Sequence, residues 1–202
     1  MEHYQYKVED ISDIKRGPPA FAARNYVEQN GVRYILKTLE KGDCAAEIGC
    51  GYGRITPVLT EFYTNVFGYE RQKELCMLAS TYVPNISFVN IKNLFDIPAS
   101  SASFDLVLTY TALQHISDVE IPYVINEMRR IIKVKGYALL VEDTTNANPD
   151  QSNPLVQFCV GRSVDRYSKL MNGFKLVSQT VRPSELNSDS VGCGTTMLFQ
   201  KI

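Results

Sequence analysis

Three glycines fall within five positions, Gly49, Gly51 and Gly53, directly behind the mostly apolar run 44–48. A backbone that turns on such a cluster is built for close approach, because glycine has no side chain and accepts positive φ. The chain on either side of the turn extends this local demand to a fold class. From about residue 40 onward, short strand-like runs alternate with helix-like ones, the pattern of an α/β fold around a parallel sheet.

Taken in order, "DCAAEIG" reads as the first strand and "RITPVLTEFY" as the helix after the glycine turn. "NVFGYE" is a second strand, "RQKELCMLASTYV" a helix closed by Pro84, and "ISFVNI" a third strand. "FDLVLTY", apolar almost throughout, suits a central strand buried on both faces. A helix over "PYVINEMRRIIK" carries Ile121, Val124, Ile125, Met128, Ile131 and Ile132 at helical spacing, with Gly136 as its breaker. "YALLVE" supplies the fifth strand, and "SVDRYSKLMNG" a short helix that Ser163 caps and Gly173 ends. "FKLVSQTV" and "TTMLFQKI" complete the sheet.

Two segments stand outside the rhythm. Residues 1–40 hold Tyr4, Tyr6, Tyr26 and the breaker "RGPPA"; residues 144–162 form a long Pro/Asn-rich connection behind the fifth strand. Loops beyond the C-terminal strand ends are where open α/β sheets bind ligands, so both segments are candidate walls or lids of one domain spanning 1–202.

Charge and composition narrow the function classes. The net charge of −1, without a block of like charges, gives a nucleic acid partner no electrostatic support. Neither an N-terminal apolar leader nor a run long enough to span a membrane is visible, and five scattered cysteines without a CxxC pair fit free thiols in a reducing cytoplasm. A cytoplasmic location is the expectation.

The glycine spacing is G-x-G-x-G, one residue short of the dinucleotide fingerprint G-x-G-x-x-G. Glu47 beside it would repel a pyrophosphate and attract an ammonium or sulfonium. Glu70 lies 70 − 51 = 19 residues past the middle glycine, where nucleotide-binding α/β folds keep the carboxylate that accepts from a ribose diol. Together these residues describe a nucleoside with a positively charged tail.

With "EIGCGYGR", "GYE", "NLFDIP", "SFDLVLTYTALQHI" and "VKGYALLVED" in this order, residues 40–180 resemble the class I S-adenosylmethionine-dependent methyltransferase family, in its small-molecule branch. The resemblance implies a Rossmann-like, mostly parallel seven-stranded sheet flanked by helices, its last strand antiparallel. It implies S-adenosyl-L-methionine as cofactor and S-adenosyl-L-homocysteine as product. Glu47 would then hold the methionine ammonium, with Gly49 and Gly51 giving backbone approach, Glu70 the ribose and Arg71 bordering the adenine. Asn93 stands where the family usually has an aspartate toward the adenine amino group, and Leu94 would offer its backbone N–H. The carbonyl of Tyr110 would meet the ammonium. Arg24 is the candidate for the cofactor carboxylate, with Arg16 and Arg33 serving the sequence equally well.

The expected reaction is in-line methyl transfer to a small-molecule oxygen or nitrogen. His115 in "LQHI" is either the base that takes the acceptor's proton or a residue that shapes the pocket. Glu142 and Asp143 are expected as solvated rim charges. No metal site is expected, although Asn146 stands near them. Tyr4, Tyr6 and Tyr167 either cap an acceptor or pack in the core; Cys50 is expected to be a packing residue, and Asp105 a structural one. Three competing readings remain: transfer to a peptide end, a catalytically silent cofactor-binding subunit, and a nicotinamide-dependent oxidoreductase that Glu47 disfavours.

Overall fold

A computed structural model describes residues 19–144, 159–181 and 194–202, with the backbone alone for 19–24. Tyr4, Tyr6, Arg16, Asn146 and most of the 144–162 connection therefore lie outside the described residues, as does the side chain of Arg24.

Helix α1 (Pro19–Leu36) opens on a proline, whose fixed φ suits a first helical position, and precedes strand β1 (Gly42–Ile48). Then come β2 (Tyr63–Glu70), α2 (Lys73–Tyr82), β3 (Ser87–Asn90) and β4 (Phe104–Tyr110). Helix α3 (Ile121–Ile131) leads into β5 (Ile132–Asp143), followed by α4 (Val164–Leu170), β6 (Phe174–Val181) and β7 (Gly194–Lys201). The strands form one sheet in the order β3-β2-β1-β4-β5-β7-β6. Its first five strands are parallel, and β7 runs antiparallel between β5 and β6.

The period of two along each strand sorts the core into two layers. Ala46, Ile48, Val107, Ala138 and Leu140 face the layer that holds α3 and Tyr167 of α4. Ala45, Leu106, Leu108, Leu139 and Val141 face the layer that holds Val32 and Leu36 of α1. Leu106, Val107 and Leu108 of β4 are wholly buried, and each such side chain stabilises the fold by roughly 2 kcal/mol. The carboxylate of Asp105, at the other end of β4, accepts from the backbone N–H groups of Asp43 and Cys44 and pairs with Lys133 at 2.8 Å. It ties β1, β4 and β5 together, which is a structural duty.

Two expected elements take another form. "RITPVLTEFY" makes only a 3-10 turn, Thr56–Glu61, because Pro57 and the branched residues 55, 56, 58 and 60 support one tight turn rather than a longer helix. Helix α3 ends at Ile131, well before Gly136. Ile132 is already extended and paired with Phe104, so the sheet captures the chain first. Gly136 sits inside β5, where a Cβ would stand 2.9 Å from Ile132 and 3.0 Å from the carbonyl of Asp105. Among the described residues, no helix is long and apolar enough to cross a membrane.

Candidate active site

The parallel register brings four strand ends to one edge: Ile48 lies beside Tyr69 and Thr109, and Tyr110 beside Val141. Strand order reverses between β1 and β4, and open α/β sheets bind their ligands in the crevice outside such a switch point. A cleft of about 890 Å³, open to solvent, occupies that position.

The glycine turn forms its floor. Gly49 has φ +72°, and its N–H donates to the carbonyl of Tyr69 at 2.8 Å; a Cβ there would stand 2.7 Å from that of Ala112. Gly51 also needs the left-handed region (φ +55°), yet a Cβ on it would meet nothing within 4 Å. The first glycine is demanded by neighbours as well as conformation, the second by conformation alone, beside open space.

Glu70 ends β2. Its Oε2 accepts from Gly51 N–H at 2.9 Å and its Oε1 from Gln72 N–H at 2.7 Å, so the carboxylate is fixed while both oxygens retain acceptor capacity. Glu47, next to last in β1, is 2% exposed, its Oε2 accepting from Thr56 Oγ1 at 2.6 Å. Burial raises its pKa to about 8; the Thr56 hydroxyl opposes the rise and the neighbouring Glu70 charge adds to it. A cation entering the cleft would favour the ionised form.

Glu47, Gly49, Gly51, Glu70, Arg71 and Leu94 line this one cleft, as do Tyr110 and His115 from the other side of the switch point. Asn93 does not. It lines an adjoining depression with Arg71, Leu94 and Ile116, three residues the two spaces share, and its Oδ1 accepts locally from Phe95 N–H at 3.2 Å. Arg33 is committed to Glu61 on the surface at 2.7 Å. Arg54, absent from the sequence candidates, lines the cleft: its guanidinium stacks 4.9 Å over the Tyr110 ring and pairs with buried Glu28 of α1. "GYGR" displayed that arginine, but only folding showed that it turns inward. Thr56 was equally invisible, since its contact depends on the unexpected 3-10 turn.

His115 closes a second short 3-10 turn, Leu113–His115, with Nδ1 3.7 Å from Cys159 Sγ. Burial pushes the Cys159 thiol up to about 11, so it stays protonated at neutral pH. Glu142 corrects the expectation of a rim charge. It is wholly buried, and its pKa is pushed up to about 7 by that burial, against the pull of the Thr109 hydroxyl and nearby backbone N–H groups. Tyr167 is likewise fully buried, which leaves core packing as its role. Cys50 is buried with its thiol pKa raised chiefly by desolvation, which suits packing and not reactivity. Among the described residues, no group of three or more His, Cys, Asp or Glu side chains is placed to hold a metal ion.

Known proteins align with this arrangement. The methyltransferase domain family model matches residues 46–140, from the strand carrying Glu47 into β5. An uncharacterized methyltransferase of Schizosaccharomyces pombe is 29% identical over 122 residues, 54% of this chain and 43% of the relative. A protein-L-isoaspartate O-methyltransferase of Nitrobacter winogradskyi is 30% identical over 93 residues, 43% of each chain. The matches thus span less than half the length of these curated relatives. In fold, a Thermotoga maritima SAM-dependent methyltransferase, described as a possible histamine N-methyltransferase, superposes with a TM-score of 0.71 at 18% identity, covering 95% of this chain and 96% of the other.

Proposed function

We propose that this chain, whose residues 46–140 match the methyltransferase domain family model, is a class I S-adenosylmethionine-dependent methyltransferase and transfers a methyl group from S-adenosyl-L-methionine to a small-molecule oxygen or nitrogen. One observation carries the reading: two fixed carboxylates, Glu47 and Glu70, stand on adjacent strand tips of one cleft, with the Gly51 backbone and open space between them. That donor and acceptor set complements a cation at one end and a free diol at the other, and it fits S-adenosylmethionine. A pyrophosphate would face the acceptor oxygens of both side chains and bring no cation to favour the ionised form of Glu47.

In this reading Glu47 and the Tyr110 carbonyl hold the ammonium, Gly49 and Gly51 admit the backbone-close parts, and Glu70 accepts from the ribose. Arg71, Leu94 and, from the adjoining depression, Asn93 border the adenine. The carboxylate partner we assign is Arg54, with Arg24 of α1 as the alternative. When bound, the cofactor supplies a methyl carbon made electrophilic by its sulfonium. What remains for the chain is alignment of an acceptor and removal of its proton. In the tautomer whose Nδ1–H donates to Cys159 Sγ, Nε2 of His115 carries the lone pair that takes this proton.

Calorimetry with S-adenosylmethionine, S-adenosylhomocysteine and NAD tests the cofactor: saturable binding of the first two and none of NAD is expected, and NAD binding alone overturns the reading. His115→Ala is expected to keep cofactor binding and lose turnover on a panel of small amines, hydroxy compounds and short peptides with free N-termini. Labelling of the peptides alone would replace the small-molecule acceptor with a chain end.

A further inference from the structure

The turn that carries His115 is gripped from both of its polar sides. Glu142 Oε1 accepts from Ala112 N–H at 3.3 Å and Oε2 from Gln114 N–H at 3.1 Å. Arg162, wholly buried, donates through Nη1 to the Leu113 carbonyl at 2.9 Å and through Nη2 to the Ile116 carbonyl at 2.5 Å. Its Nε pairs with Asp118 at 3.0 Å. Buried backbone groups of a short turn have no ladder to satisfy them, and here two charged side chains from distant parts of the chain do so.

A second observation points the same way. Thr111, at the start of this turn and on the cleft wall, has φ +52°. A β-branched residue rarely enters the left-handed region and stays there only where its surroundings over-determine it. Its N–H is tied to the carbonyl of Val141 at 2.7 Å, one residue before Glu142. Behind His115, Gln114 joins the same structure: its Oε1 accepts from Asp143 N–H at 3.0 Å, and its Nε2 lies 3.6 Å from Cys159 Sγ.

We propose that Glu142 and Arg162 are positioning residues, which hold the 111–116 turn in its strained form and so fix the His115 imidazole at the edge of the cleft. Neither lines the cleft, so neither touches substrate. The proposal rests on the reading of the cleft as a methyl-transfer site only for the purpose of the turn, not for its construction.

The chain has two histidines, so His3→Gln leaves His115 as the sole imidazole for NMR. In that background the ring is expected to give one set of resonances with one titration midpoint. Arg162→Lys and Glu142→Gln are expected to move that midpoint by about half a pH unit or to split the ring signals, while S-adenosylhomocysteine affinity stays within about threefold. Asp118→Asn leaves both backbone bonds of Arg162 in place and is expected to produce a smaller change in the same sense. It stands in if Arg162→Lys fails to fold. Ring signals and midpoint unchanged in folded Glu142→Gln and in whichever of the other two folds overturn the proposal. Failure of the parent to bind S-adenosylhomocysteine would count against the cleft reading instead, because the ring signature needs no ligand.

Discussion

Glu47 and Glu142 are each next to last in a strand of one sheet, and both are buried with raised pKa values, yet the sheet turns them to opposite layers. Glu47 shares its face with Ala45, toward the layer that holds α1; Glu142 shares its face with Leu140, toward the layer that holds α3 and α4. The first lines the cleft and accepts a hydroxyl hydrogen bond from Thr56; the second lies behind the wall and accepts from two backbone N–H groups. Equal burial therefore does not mean equal purpose. A carboxylate facing open space can take a cationic ligand, whereas one facing N–H groups of a turn is used up in shaping it.

The largest expected effect breaks or confirms this contrast directly. Glu47→Ala is expected to weaken S-adenosylmethionine binding on the order of 100-fold, whereas Glu142→Ala keeps affinity within about threefold but lowers stability by roughly 2 kcal/mol, the cost of unmade buried hydrogen bonds. Calorimetry and denaturant unfolding separate the two. Equal loss of affinity in both would erase the distinction.

Next in size is the pH dependence of cofactor binding. With Glu47 at about 8 in the unliganded protein, a cationic ligand must displace its proton at lower pH. Affinity is expected to fall roughly 15-fold from pH 7.5 to 6.0, the loss of Glu47 ionisation outweighing the fuller protonation of an α-amino group whose ordinary pKa is about 8. Glu47→Gln should flatten the profile and Glu142→Gln should leave it, so a slope that survives in Glu47→Gln assigns the proton elsewhere.

A smaller loss, about tenfold, is expected for Glu70→Ala, which removes acceptors for the ribose and the anchor of Gly51 N–H. Unchanged affinity by calorimetry would remove Glu70 from the site. A separate effect concerns the unliganded fold. Both Glu47 and Glu142 bind protons more tightly folded than unfolded, so their contribution is present at low pH and lost as pH rises from about 4.5 through about 7 and 8. Melting temperature is expected to drop between pH 5.5 and 8.5, less so in Glu142→Gln. A rise would contradict both assignments.

Much of this was legible before folding. The strand "FDLVLTY" coincides with β4, Ser163 caps α4 by accepting from Arg166 N–H, and the glycine turn with Glu47 and Glu70 marks the cleft. The errors have local causes that sequence periodicity does not weigh. Pro57 and its branched neighbours shortened a helix to a 3-10 turn, and pairing of Ile132 with Phe104 ended α3 early.

What the sequence determined by itself was every property set by near neighbours along the chain: alternation of elements, glycines where φ must be positive, and a carboxylate 19 residues beyond the turn. Only the tertiary structure decided which charges face the cleft and which are consumed inside. It moved Glu142 from the rim to the interior, turned Arg54 inward over Tyr110, and set Arg162 against the carbonyls of a turn some 46 to 49 residues away. The reason is physical: a side chain's ionisation and partners depend on desolvation and on atoms brought together by folding, and neither is written in the residues beside it.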